Sequence, residues 1–202
     1  MPSFHDFRFL STDGKHNVFA RECTPDGEVR AVLQIAHGVA EHIYRYAPFM
    51  EFLAENGFVV VANDHLGHGK TAENEQELCF FAEKDGWNDV VSDMDTLHKL
   101  TAAKYPGVPY FLFGHSMGSF LTRTYIIDHP EGLKGVIISG TGQNPGAVIA
   151  AGKLMAKLEM IDNGPMYHSP TLDKLAFGSY NKKYDHVRTK LDWLTRDEAI
   201  VA

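Results

Sequence analysis

The chain has 202 residues, 44% of them hydrophobic and 22% charged, which is ample for one core and ordinary for a globular protein. A formal charge of −7 and an isoelectric point near 5.8 argue against nucleic acid or an anionic membrane as the main partner. Two cysteines, Cys23 and Cys79, lie far apart with no C-x-x-C spacing and suit a reducing compartment. The opening Met-Pro-Ser-Phe-His-Asp lacks the basic start and apolar stretch of a signal peptide, and no apolar run is long enough to span a bilayer. The expectation is a cytoplasmic protein.

In chain order, Phe7 and Phe9, then Val18 and Ala20, alternate about Thr12-Asp13-Gly14 and predict an opening β-hairpin. Asp26-Gly27 predicts a turn before an apolar strand at 31–36, broken only by Gln34. A helix is expected at 48–56, with Pro48 in its first turn, Tyr46, Phe49, Met50 and Leu53 on one face, and Gly57 as its stop. The run 58–62 reads as a strand buried on both faces, and the polar, Gly-bearing 63–74 as a loop. Val90, Val91, Met94, Leu97 and Thr101 recur at helical spacing over 87–104, ending at Tyr105-Pro106-Gly107.

The short apolar run 110–113 predicts a buried strand, and 117–128 an amphipathic helix carrying Phe120, Leu121, Tyr125 and Ile126. Between them stands Gly114-His115-Ser116-Met117-Gly118, the G-x-S-x-G spacing of a nucleophile elbow. Two residues without Cβ let strand and helix approach on either side of a sharp corner, and the Ser116 hydroxyl is left above the sheet. The free N–H groups of the new helix face whatever negative charge develops there. A further buried strand is expected at 136–139. Strands alternating with helices predict an α/β fold with a largely parallel sheet.

Past Thr141-Gly142 the texture changes. The segment 145–160 is amphipathic and rich in Ala and Met. An irregular stretch with Gly164, Pro165, Pro170 and Gly178 follows, and the chain closes over 191–202. The division expected is a core at 1–142 and a helical lid at 143–202, above the carboxyl edge of the sheet where open α/β folds bind ligands. The stripe Val148, Leu154, Met155, Leu158 and Ile161 fits an acyl-chain lining or contact with a lipid interface as well as it fits plain packing.

Two loops complete the constellation. His37-Gly38-Val39-Ala40-Glu41-His42 closes the first long strand, where a Gly-opened turn aims the Val39 N–H at a developing oxyanion beside that of Met117. Asn63-Asp64-His65-Leu66-Gly67-His68-Gly69 follows the next strand. Its imidazoles and carboxylates, with His37, Glu41 and His42, lack the spacings that hold metal on one element, and loop-shaping hydrogen bonds are the preferred reading. Gly69-Lys70-Thr71 looks like the end of a phosphate loop, but Asp64 stands where that motif needs glycine, and a carboxylate repels phosphate.

On the motifs His37-Gly38-x-x-Glu41-His42 with Arg45-Tyr46, Asp64-His65-x-Gly67-His68-Gly69 and Gly114-His115-Ser116-Met117-Gly118, the sequence resembles the α/β-hydrolase family, in particular its monoacylglycerol lipase and lysophospholipase-like members. The resemblance covers essentially the whole chain. It implies an α/β-hydrolase fold: a mostly parallel sheet with an N-terminal antiparallel hairpin and a helical lid. It implies Ser116 as nucleophile, the N–H groups of Val39 and Met117 as oxyanion hole, and His37, Gly38, Glu41, His42, Asp64 and His115 as supporting loop residues. No cofactor or metal is implied. The substrate expected is a small lipid or ester, with transient interface contact through the lid, no stable membrane insertion and no nucleic acid.

Two departures stand out. Ala40 occupies a position where relatives often carry glycine. In this fold the acid and histidine of the triad follow the lid, on two further strands. None of His129, His168 and His186 has the Gly-x-x-His setting that relatives use, and Asp162, Asp173, Asp185, Asp192 and Asp197 are equally unplaced. The expectation is that the last two strands are missing, with acid and base beyond residue 202, and that the chain alone turns over little. The strand at 136–139 then offers an exposed edge for self-association, expected to be covered by another chain, by the lid or by residues beyond 202. A rival reading is a non-catalytic module that holds an apolar ligand.

Overall fold

The structure is a computed structural model that describes residues 1–189, 192–195 and 197. Strands β1 (Ser3–Leu10) and β2 (Asn17–Thr24) form the antiparallel hairpin, pairing Phe7 with Ala20 and Leu10 with Asn17. Strands β3 (Ala31–Ala36), β4 (Phe58–Asn63), β5 (Tyr110–His115) and β6 (Leu133–Ser139) run parallel to one another, and the sheet order is β1-β2-β4-β3-β5-β6. The hairpin joins through an antiparallel β2–β4 pair.

The wholly apolar strands are explained by cover on both faces. Leu33, Ile35, Val60 and Ala62 pack with Met50 and Ala54 of α1 (Ala47–Glu55). Their neighbours Val32, Val59 and Val61 pack with Leu97 of α2 (Gly86–Lys104), while Ala36 and Leu112 pack with Met94 and with Leu121 of α3 (Met117–Asp128). Gln34, the polar break in β3, is buried with both ends bonded: its Nε2 donates to the Met94 carbonyl (2.9 Å) and its Oε1 accepts from the Tyr110 hydroxyl (2.7 Å).

The run at 136–139 belongs to β6, which pairs only with β5 among the described residues and leaves Ile137 and Ile138 exposed: it is the exposed edge expected, and not the buried strand that its apolar run suggests. An apolar run reports β propensity, whereas burial depends on what covers it. The stretch after Gly164 is not irregular throughout, because it holds α5 (Pro170–Phe177) and a short 3-10 turn at Tyr180–Lys183. Ser169 caps α5, its hydroxyl accepting from the Leu172 N–H, and Pro170 occupies the first turn; that start signal stood in the sequence.

The chain forms two compact units, Met1–Gln143 and Asn144–Ala202. The second carries α4 (Gly146–Asn163), which buries no side chain: Val148, Leu154, Leu158 and Ile161 are exposed and Met155 is half-buried. Asp192, one of the unplaced acids, accepts from the N–H groups of Arg188 (2.7 Å) and Thr189 (3.2 Å) and from the Thr189 hydroxyl (2.6 Å). The rest of the expected closing segment, at 190–191, 196 and 198–202, lies outside the described residues. Among the described residues, no helix is long and apolar enough to cross a membrane.

Candidate active site

Ser116 sits at the corner between β5 and α3 with φ 52° and ψ −118°, a conformation that L-residues rarely hold without surrounding constraint. The constraint is visible. The Ser116 N–H donates to the Ser139 carbonyl (3.0 Å), and its own carbonyl accepts from the N–H (2.9 Å) and the hydroxyl (2.6 Å) of Ser119. Glycines flank the corner because nothing larger fits. A Cβ on Gly114 would stand 2.3 Å from Thr122 Oγ1, and one on Gly118 would stand 2.0 Å from the Ala36 carbonyl oxygen. The helix start is thus wedged against the end of β3, and the Ser116 hydroxyl makes no protein hydrogen bond among the described residues.

The loop after β3 lies beside that serine, since a Cβ on Gly38 would come within 3.1 Å of Ser116 Cβ. Its shape is held by buried side chains. Glu41 accepts from the Gly38 N–H, the Arg45 guanidinium and the Tyr46 hydroxyl, the last at 2.8 Å. Burial and the neighbouring Glu41 charge push the Tyr46 phenol well above its ordinary range, so it remains a donor. Ala40 takes φ 55°, a left-handed turn that glycine holds more easily. Burial pushes the Cys79 thiol up, and the backbone of Ala40, 39 positions away, opposes that rise from close by. Nothing in the sequence marks that contact, and the hydroxyl of Ser119 under the elbow was equally unflagged.

The histidine-rich loops meet as a stack of buried imidazoles. The His37 ring lies 4.2 Å from that of His65 and 5.2 Å from that of His68. Desolvation drives all three below the ordinary imidazole range, His37 to about 3, and the rings are neutral near pH 7. His37 Nε2 accepts the His65 N–H (3.0 Å), while His68 Nδ1 meets the Leu66 carbonyl (3.0 Å). Among the described residues no three His, Cys, Asp or Glu side chains are arranged to hold a metal ion. Asp64 is fully buried, accepts from the N–H groups of Ile43 (2.9 Å) and Lys70 (2.8 Å), and is raised by burial. Lys70 spends its ammonium on the Tyr44 hydroxyl (2.6 Å).

The structure therefore brings Gly38, Glu41, His37 and the Ser116 corner together, with Val39 and Met117 on the two adjoining turns and Asp64 bracing the loop behind. Two of the predicted supporting residues stand differently. His42 is exposed and makes no side-chain cap for the 3-10 turn Ile43–Tyr46 that follows it. His115, half-buried, lies 3.3 Å from the Ser139 hydroxyl. Of the histidines left unassigned, His129 approaches Asp95 (3.7 Å), while His168 and His186 are exposed. Within the first unit no histidine bonds the Ser116 hydroxyl.

A hairpin-opened, mostly parallel sheet with a Gly-flanked serine at a strand–helix corner defines the α/β-hydrolase fold. The family profile Hydrolase_4, described as serine aminopeptidase S33, matches residues 27–202, and the chain belongs to that family. A monoglyceride lipase homolog of Monkeypox virus is 30% identical over 186 residues, covering 92% of this chain and 64% of the relative. A monoacylglycerol lipase of Mycolicibacterium smegmatis is 31% identical over 140 residues, 67% of this chain and 48% of the relative. Among solved structures, a thermostable carboxyl esterase from Bacillus coagulans in complex with glycerol superposes with a TM-score of 0.86 at 33% identity, over 98% of this chain and 64% of that one. The chain spans less than two thirds of the length of each of these three proteins.

Proposed function

We propose that this chain carries the nucleophile and oxyanion loop of a serine hydrolase that cleaves carboxylic esters with apolar acyl groups, of the monoacylglycerol or lysophospholipid type. The observation that carries the reading is the strained Ser116 corner, set against a loop whose glycine lies within contact of the serine Cβ. The Ser116 oxygen attacks the acyl carbon, its proton passes to a histidine base, and the carbonyl oxygen becomes an oxyanion facing the N–H groups of Val39 and Met117. Collapse expels the alcohol, and water then releases the acyl group. The family description names an aminopeptidase, whereas the relatives' names are lipases and an esterase; ester cleavage follows the relatives.

Labelling with a fluorophosphonate tests it. The expected result, slow because no histidine of the first unit bonds Ser116, is one adduct located by mass spectrometry on Ser116 and absent in Ser116→Ala; a labelled chain with the adduct elsewhere overturns the reading. With no histidine of the first unit bonding Ser116, p-nitrophenyl butyrate hydrolysis by the 202-residue chain is expected to be slow. The residual scale is about 10³–10⁴ over water, supplied by binding and the oxyanion hole. The same lack favours the competing reading, an apolar-ligand module without chemistry, which predicts no adduct at all.

A further inference from the structure

The two loop residues that flank Val39 on the inner side bond in a pattern that determines where its N–H points. His37 is fully buried and its Nε2 accepts the His65 N–H at 3.0 Å, so that nitrogen carries the lone pair. In a neutral ring the proton then sits on Nδ1, which lies 2.8 Å from the Gly38 carbonyl oxygen and donates to it. The Gly38 carbonyl belongs to the same peptide unit as the Val39 N–H. The peptide bonds of the described residues are trans, and in a trans peptide the two groups point in opposite directions. A donor that draws the carbonyl toward the buried imidazoles therefore turns the N–H away from them. The preceding unit is held as well, because Glu41 accepts the Gly38 N–H. Of the two N–H groups on these peptide units, that of Gly38 is taken by Glu41 and that of Val39 has no protein acceptor among the described residues.

From this we infer that His37 is a positioning residue that orients the Gly38–Val39 peptide through its Nδ1–H, with Glu41 as the second clamp, so that the Val39 N–H is presented as an oxyanion donor. The inference rests on the reading of the Val39 N–H in the proposed function. It assigns His37 a specific tautomer and a specific atom to hold, rather than general support of a loop. Removing one oxyanion donor costs about 10²–10³ in rate in enzymes where it has been isolated. A side chain that only aims such a donor should cost less than its loss and more than nothing.

The experiment uses the full 202-residue chain labelled with nitrogen-15. Long-range proton–nitrogen correlation of the imidazoles is expected to show His37 protonated at Nδ1 and bare at Nε2; the opposite tautomer, or an imidazolium at pH 7, overturns the inference whatever the activity. His37→Leu removes the donor, while His37→Asn places an amide N–H near the Nδ1 position. The rate of fluorophosphonate attachment to Ser116 is expected to fall at least tenfold in His37→Leu and to recover most of that loss in His37→Asn. In the wild-type adduct the Val39 amide proton is expected to move downfield, and in the leucine variant it is not. Equal attachment rates in wild type and a natively folded His37→Leu would overturn the inference. Should the leucine variant not fold, the wild-type tautomer and the Val39 response still decide it. A wild-type chain that never acquires the label defeats the ester-cleavage reading instead, and leaves the tautomer result to stand or fall separately.

Discussion

Ser116 and Asp93 each hold a state that an isolated residue would not. Ser116 keeps φ 52° because the Ser139 and Ser119 contacts hold the corner, and such a conformation costs on the order of 1–3 kcal/mol. Replacing it with glycine, which meets no Cβ penalty there, is expected to raise the melting temperature by roughly 2–4 °C while abolishing fluorophosphonate labelling. Ser116→Ala abolishes labelling without the gain. A glycine variant that melts no higher than the alanine variant would show that the corner is not strained. Asp93 is the second case. It accepts from the Ser11 hydroxyl (2.7 Å) and the Thr12 N–H (2.8 Å), yet burial, the largest cause, pushes its carboxyl from 3.8 to about 6. A carboxyl raised on folding binds more protons in the native state. Its contribution is fully present below the unfolded pKa and is lost as pH rises from about 4 to 6. Asp93→Asn can keep an acceptor for Thr12 without the charge. Relative to the variant, the wild type is expected to lose on the order of 2 kcal/mol across that window in urea melts. Parallel stability curves would contradict this.

At the scale of single elements, the same substitution has opposite signs in α3 and α4. Gly118 opens α3 with its Cα against the Ala36 carbonyl, and a Cβ would stand 2.0 Å from that backbone oxygen. Gly118→Ala forces strand and helix apart and is expected to destabilise the chain by about 3 kcal/mol or more, with loss of the elbow. Gly152 lies in the interior of α4 with open space where a Cβ would go. Gly152→Ala is expected to stabilise by about 0.5–1 kcal/mol through helix propensity alone. Thermal melts of the two variants check both signs, and an innocuous Gly118→Ala would mean that the close approach of helix to strand is not needed. The hairpin, the buried strands and α1 to α3 were legible because each carries its own period and its own stop. α5 was missed although Ser169-Pro170 marks its start, because the prolines and glycines around it were read as irregular backbone.

On the scale of the whole molecule, the first unit has its cores on both faces of the sheet, and the second is built from α4, α5 and the turns after them. Residues 141–145 between them are exposed and carry no helix or strand. Brief digestion with a nonspecific protease such as thermolysin is expected to cut first there, and mass spectrometry should find a resistant fragment close to Met1–Gln143. First cuts within β3 to β5 would show that the first unit is not a stable body. At the β6 end of the sheet order, Ile137 and Ile138 are exposed on a strand that pairs with β5 on one side and with no other strand among the described residues, the kind of edge that invites pairing.

What the amino-acid sequence determined by itself is the order of elements and the three loops where chemistry gathers, because periodicity, glycine placement and G-x-S-x-G are local properties of the chain. Which histidines are buried and which polar atom holds which peptide were decided by the tertiary structure. The His37 bond to Gly38 lies next to it in sequence, but its tautomer depends on His65, 28 positions away, and the Cys79 contact with Ala40 spans more still. A hydrogen-bond direction depends on both partners, and only folding brings the second one within reach.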